Sequence, residues 1–300
     1  MKPLHFCIFS TTLIWSLSTP LVFAGDGLAL MKVEHGARSA GMGATMVVST
    51  FDPNQTLFNP AAAVGADEFT ASFGHTAYWE NVRLESGFVT IDLAANLVLH
   101  SGIRFAAIDE IELRTNASSE PIELFDAHDI SYKAGLSYRV TDRIDAGIAA
   151  GWFIEKIGAH RGSSFNVDVG IIAYPTDKST IAASVINLGR DIQLGQQGQL
   201  SSRDIALPTT WRAGGSYSYD RFIGVFDLVV LDNDAHAHIG LEGQLHELFQ
   251  LRTGYMSGYD SKDITAGASF VHRNVRIDYG FLPFSNELGT SHLFNVTFKL

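Results

Sequence analysis

A period of two, sustained over unusually long segments, constrains this chain more than any other feature. In 143–156, Ile144, Ala146, Ile148, Ala150, Trp152 and Ile154 share one face, and Asp145, Gly147, Gly151 and Glu155 share the other. In 129–140, Ile130, Tyr132, Ala134, Leu136, Tyr138 and Val140 oppose Ser131, Lys133, Gly135, Ser137 and Arg139. Segments 164–175 and 274–283 and the last segment, 291–300, alternate as cleanly. Such alternation predicts strands with one apolar and one polar face. About fourteen segments of this kind follow residue 66: 69–79, 82–93, 97–108, 129–140, 143–156, 164–175, 179–187, 209–219, 222–231, 235–244, 247–257, 262–272, 274–283 and 291–300. Two of them, 82–93 and 222–231, are ambiguous in face.

Length decides what kind of sheet this is. Ordinary strands average about five or six residues, whereas a tilted strand needs about ten to cross a bilayer. The segments here have the second length. Their connectors alternate between short and long. Thr141-Asp142, Arg273-Asn274 and the stretch at Asp220 are tight turns, whereas 109–128, 188–208 and the medium 284–290 fall on the opposite side. Short turns on one side and longer loops on the other mark an outer-membrane barrel. The expected fold class is therefore all-β: a transmembrane antiparallel β-barrel of about 14 strands over residues 67–300. A soluble sandwich, barrel or propeller also alternates, but it needs neither strands of this length nor a charged fraction as low as 18%. No four-strand blade repeat is visible.

Lipid outside such a barrel requires the polar face to point in. That places Arg104, Lys133, Arg139, Asp145, Glu155, Asp168, Arg212, His236, His238, Glu242, Arg252, Arg276 and Asp278 in the lumen. Both signs are present, so ion pairs are expected there. Trp79 and Trp211 fall near loop ends, and Tyr138 and Tyr219 near turn ends, the depths where amphipathic rings collect.

Residues 1–24 have the form of a secretory signal: Lys2, an apolar run from Phe6 through Leu17, and a small-residue cleavage site at Val22-Phe23-Ala24. A membrane anchor is the alternative, but Pro20 and several Ser and Thr residues interrupt the run. The single cysteine, Cys7, lies inside this segment, which excludes thiol catalysis, disulfides and Cys-zinc sites from the mature chain. A net charge of −11 excludes a nucleic-acid partner.

Residues 25–66 lack the period of the strands. Gly36, Gly41 and Gly43, with Ala37 and Ala40, allow close backbone packing, and Asp52-Pro53 and Asn59-Pro60 signal turns. The segment is expected to sit in the lumen as a hatch or plug; a periplasmic tail is the alternative. Gly41-Met42-Gly43 lacks the third glycine and the lysine of a phosphate loop. His236 and His238 share a strand face near Asp234 and Glu242, which makes them weak candidates for metal; bonding to neighbouring carboxylates is the commoner arrangement. Asp232-Asn233-Asp234 lacks the spacing of a calcium loop. No G-x-S-x-G stands in the chain, and nothing brings a nucleophile and base together, so no enzyme and no cofactor is expected.

"GARSAGMGATMVV" followed by "LFNPAAAV" resembles the N-terminal signature of FadL-like outer-membrane barrels, most of all their PorV/PorQ branch, and "IDYGFLPFSNELGTSHLFNVTFKL" is similar to that branch's last hairpin. The resemblance covers about fifty residues. It implies a 14-stranded barrel with an N-terminal hatch in the outer membrane of a Gram-negative bacterium. For the PorV/PorQ branch it implies a non-enzymatic platform or shuttle in type IX-like protein secretion, with secreted or surface-attached proteins as partners. For other FadL relatives it implies import of long-chain fatty acids or other hydrophobic compounds. The chain ends on Leu300 instead of an aromatic residue, although Phe294, Val296, Phe298 and Leu300 keep the alternation that barrel-assembly machinery favours. The remaining expected partner is outer-membrane lipid. The mature protein is expected to fractionate with outer membrane and to run as a heat-modifiable gel band; recovery in the soluble periplasm would contradict the barrel.

Overall fold

A computed structural model describes residues 28–46, 52–66, 68–78, 82–94, 96–117, 119–196 and 199–300. The signal segment 1–24, residues 25–27 and 47–51 of the N-terminal segment, and Trp79 lie outside them. The described chain begins with two short helices, α1 (Ala29–Lys32) and α2 (Ala37–Ala40), and two 3-10 turns, Pro53–Leu57 and Pro60–Ala63. Sixteen strands follow: β1 (Phe69–Ala77), β2 (Arg83–Ala94), β3 (Leu97–Leu113), β4 (Glu123–Thr141), β5 (Ile144–Ile157), β6 (His160–Thr176), β7 (Ser179–Gly189), β8 (Ile192–Gln196), β9 (Gln199–Ile205), β10 (Thr210–Tyr219), β11 (Phe222–Leu231), β12 (Asp234–His246), β13 (Phe249–Ser257), β14 (Ile264–His272), β15 (Val275–Phe284) and β16 (Gly289–Lys299).

Every pairing is antiparallel, and β1 pairs with β16, for instance Phe73 with Val296. Strands β1–β7 and β10–β16 therefore close into a ring of fourteen. The β8–β9 hairpin stands outside that ring and touches β6 through Arg161 and Gly195. Closure leaves no strand edge, which is what a sheet in hydrocarbon requires, because an unpaired peptide group there costs several kcal/mol.

The two faces separate as the alternation predicts. Ile148, Trp152, Tyr132 and Phe294 are about half exposed on the outside. Arg104, Lys133, Asp168, Arg212, Glu242, Arg252, Arg276 and Asp278 are buried on the inside. Arg139, at the turn end of β4, is partly exposed and pairs with buried Asp145 at 3.0 Å. Trp211 opens β10 at the loop side; Tyr138 and Tyr219 lie at the turn side.

Two of the expected loops are in fact strand. The 109–128 loop is mostly an extension of β3 and β4, leaving 114–122 as the connection, and 188–208 contains the β8–β9 hairpin. Acidic residues on both faces hide the first extension from any reading of periodicity. A hairpin standing in water above the bilayer needs no apolar face; its ladder suffices. The ambiguous segment 222–231 also has a physical explanation. Its outer face carries Phe222, Phe226 and Leu228, while Val225 on the inner face is covered by Met42 of the N-terminal segment.

Among the places where the ladder shifts register, two carry a non-glycine residue in the left-handed region: one in β3 between Ile108 and Ile111, with Glu110 at φ 58°, and one between β6 and β7, with Asn187 at φ 61°. At the second, the Asn187 backbone N–H donates to Asp168 Oδ1 at 2.7 Å, and Lys133 Nζ donates to both Asp168 (2.5 Å) and the Asn187 side chain (2.8 Å). The extra residue is thus anchored by a buried ion pair.

Because Ile148 faces lipid in the spanning part of β5, Ile148→Arg is expected to destabilise the barrel by about 2–4 kcal/mol, measured by urea titration of folding into lipid vesicles. An unchanged midpoint would place Ile148 on the inner face.

Candidate functional site

The N-terminal segment packs against the inner wall, and small residues on both partners permit it. A Cβ on Gly41 would lie 2.9 Å from the Ala266 carbonyl oxygen. Gly43 has φ +72°, and a Cβ there would lie 2.8 Å from the Ile239 carbonyl oxygen and 2.9 Å from the Tyr255 nitrogen. Its own N–H donates to Thr265 Oγ1 at 2.8 Å. Opposite it, Gly240 and Gly254 leave the wall bare of side chains where Met42 and Gly43 pass. Gly36, at φ +74°, turns the chain beside Asn54. The next residue, Ala37, donates its N–H to Asn295 Oδ1 at 2.6 Å.

Charge fixes the same stretch. Arg38 donates two hydrogen bonds to Glu242, at 3.0 and 2.6 Å. Glu242 also pairs with Arg252 at 3.2 Å, Arg252 with Asp278 at 3.1 Å, and Asp278 with Arg276 at 2.9 Å. All five groups are buried. Burial pulls the Arg38 pKa down, but the Glu242 carboxylate outweighs it and holds the guanidinium pKa above its usual value. Further along, Arg212 donates to the Ala44 carbonyl (2.8 Å) and to Asp227 (2.7 Å), and Asp227 accepts from the Met46 N–H at 2.6 Å.

Asn59 and Pro60 lie against β4–β7. Asn59 Oδ1 caps the 3-10 turn by accepting from the Ala61 N–H at 2.9 Å. Its Nδ2 donates to the carbonyls of Ile171 and Ala183, each at 3.1 Å, which are cross-strand partners in the wall. Gly170 leaves the space that the Asn59 side chain fills, and Gly147 does the same for Pro60 and Ala61. Ser137 donates to the Pro60 carbonyl at 2.5 Å, and Ser184 to that of Phe58 at 2.6 Å.

Toward the loop side the segment no longer fills the space. A cavity of about 370 Å³ lies between α1 and the outer parts of β2–β5. Leu28, Leu30, Val33, Val82, Leu84 and Ala106 make most of its wall apolar. Asp129 and Glu155, cross-strand partners, supply its acidic side. Nearby, His35 stacks on Phe58 with ring centroids 4.8 Å apart. Burial, followed by the Arg104 charge, holds its imidazole well below the usual pKa, so it is neutral at neutral pH.

The two candidate histidines serve other contacts. His236 stacks on Tyr259 at 3.9 Å. His238 lies 3.3 Å from the Ala44 carbonyl through Nδ1 and 3.0 Å from Tyr259 Oη through Nε2. The carbonyl only accepts, so Nδ1 carries the proton and Tyr259 donates to Nε2. Among the described residues no three His, Cys, Asp or Glu side chains converge as a metal site. Phe294 and Phe298 face outward from β16, Val296 shares their face, and the Leu300 N–H donates to the Phe69 carbonyl at 2.9 Å just past the strand's end. Sequence reasoning missed the roles of Arg38 and Asp129. A lone cation inside a Gly/Ala stretch was the signal for the first; Asp129 was submerged in the acidic run before it.

No family model and no curated protein matches the sequence. Among solved structures, the toluene transporter TodX of Pseudomonas putida is similar with a TM-score of 0.62 at 13% identity, over 88% of this chain and 96% of TodX. A FadL homologue from Pseudomonas aeruginosa gives 0.56 at 11% identity, over 88% and 98%. A TodX deltaS2S3 mutant, described as a monoaromatic hydrocarbon channel, gives 0.62 at 14% identity, over 88% and 97%. The PorV/PorQ branch is not shown by these similarities. At such identities the likeness is one of fold, and the chain has the FadL-like outer-membrane barrel fold.

Proposed function

We propose that this barrel admits small hydrophobic compounds across the outer membrane of a Gram-negative bacterium, with residues 25–66 acting as its hatch. The apolar cavity at the loop side carries the reading. An apolar molecule entering it exchanges water for Leu28, Leu30, Leu84 and Ala106, a gain of about 25 cal/mol per Å² of apolar surface removed from water. Onward movement requires the segment beneath to shift, because Arg38, Gly43 and Asn59 tie it to opposite parts of the wall. The fold shared with a toluene transporter and a FadL homologue supports the same reading. No chemistry is needed, since the work is transfer down a gradient.

Filling the cavity tests it. Ala106→Trp is expected to reduce uptake of labelled toluene at least fivefold in cells carrying the folded, heat-modifiable protein. Uptake equal to wild type would overturn the reading. The secretion platform keeps one observation of its own: Ile122 and Leu124 are exposed at the tip of the β3–β4 hairpin, where a protein partner would find them. A stable protein co-purified from the native membrane, without toluene uptake, would favour it.

The hatch makes a second expectation. Gly43→Val strains a left-handed backbone and drives a side chain into the wall, a cost of about 1–3 kcal/mol. The ring does not depend on that contact, so the variant is expected to fold and to conduct more than wild type in planar bilayers. Equal, open conductance in both would make the segment a tail.

A further inference from the structure

The cavity at the loop side is apolar over most of its wall but acidic at one side, and the two carboxylates there are not equivalent in their partners. Glu155 is 4% exposed. Its Oε1 accepts the Leu28 N–H at 3.3 Å, while its Oε2 is buried with no hydrogen-bond partner among the described residues. Asp129 stands opposite it across the β4–β5 ladder and accepts from the backbone of Leu30. Among the described residues no Lys or Arg lines the cavity. Arg104 reaches Asp129 through its field but donates to the Leu30 carbonyl, at 3.2 Å. A buried carboxylate oxygen without a donor is costly, and a ligand that brings a donor or a positive charge removes that cost.

We propose that this cavity selects hydrophobic molecules bearing an ammonium or other hydrogen-bond-donating head, held at Glu155 and Asp129, and discriminates against hydrophobic carboxylates. The inference rests on the cavity being a ligand site, as in the function proposed above, and adds the chemistry of the head group. An apolar tail of aryl or short alkyl type lies against Leu30, Leu84 and Ala106, with the amine turned toward Glu155 Oε2. A fatty acid or aryl carboxylate would bring a further acidic group, and no positive charge, to the side of the cavity that already holds the carboxyl groups of Glu155 and Asp129.

Three ligands of matched size separate the possibilities: 2-phenylethylamine, ethylbenzene and 3-phenylpropionate, titrated calorimetrically into the purified mature protein in detergent at neutral pH. The expected order of affinity is amine, then hydrocarbon, then carboxylate, with at least tenfold between the first and last. In Glu155→Gln and in the double variant with Asp129→Asn, each checked for heat-modifiability, that ratio is expected to fall to threefold or less. Ethylbenzene binding with equal affinity for amine and carboxylate would leave the cavity a ligand site and overturn the head-group selection. A ratio retained in both variants would also overturn it, because the selection would then arise elsewhere. Binding of none of the three would sink the ligand site and this inference together.

Discussion

The pairing of β1 with β16 is the constraint on which the rest depends. Fourteen antiparallel strands satisfy one another's peptide groups only when the ring is closed, and hydrocarbon offers no water to repair a gap. Closure fixes which residues face in and which face out. Once Phe73 stands opposite Val296 on the outside, Ser72 and Thr297 must point inward, and the assignment propagates around the ring with the pleat. The lumen is polar because lipid leaves the apolar residues the outer face.

A polar lumen of this width has to be filled or flooded, and here the N-terminal segment fills part of it. The fit is between bare backbones. Gly43 and Met42 run over Gly240 and Gly254, and Asn59 occupies the space that Gly170 leaves. Such contacts favour one register of the segment, since a side chain on either partner would separate them. Ionic groups add direction. Arg38 enters a wall cluster of Glu242, Arg252, Asp278 and Arg276, in which two carboxylates serve three guanidinium groups. Removing either carboxylate would leave buried cations unpaired, a larger penalty than the pair itself is worth.

The same closure explains where the cavity lies. Deep in the barrel the segment lies directly on the wall, backbone to backbone at Gly43 and Gly254 and ion-paired at Arg38. At the loop side the strands rise beyond the segment, and apolar residues of α1 meet apolar inner residues of β2 and β3. Leu84 and Ala106 face inward against the trend of the wall because they have Leu28 and Leu30 to cover them.

By itself the sequence determined the class of fold, because a period of two over ten residues admits few structures in lipid. Ile148 and Trp152 against Asp145 and Glu155 already named both faces of β5, and the tight turns at Thr141-Asp142 and Arg273-Asn274 named the two ends. The sequence also marked Gly36–Ala66 as different in kind, since small residues without a period must pack by backbone. It could not show the β3 and β4 extensions, because a strand in water needs no apolar face. Nor could it show that Arg38 meets Glu242, 204 positions away, or that Glu155 and Asp129 share a cavity with Leu28. Those meetings depend on how the ring curves and on the path of the segment inside it. Local pattern fixes which way a side chain points; only closure in three dimensions decides what it faces.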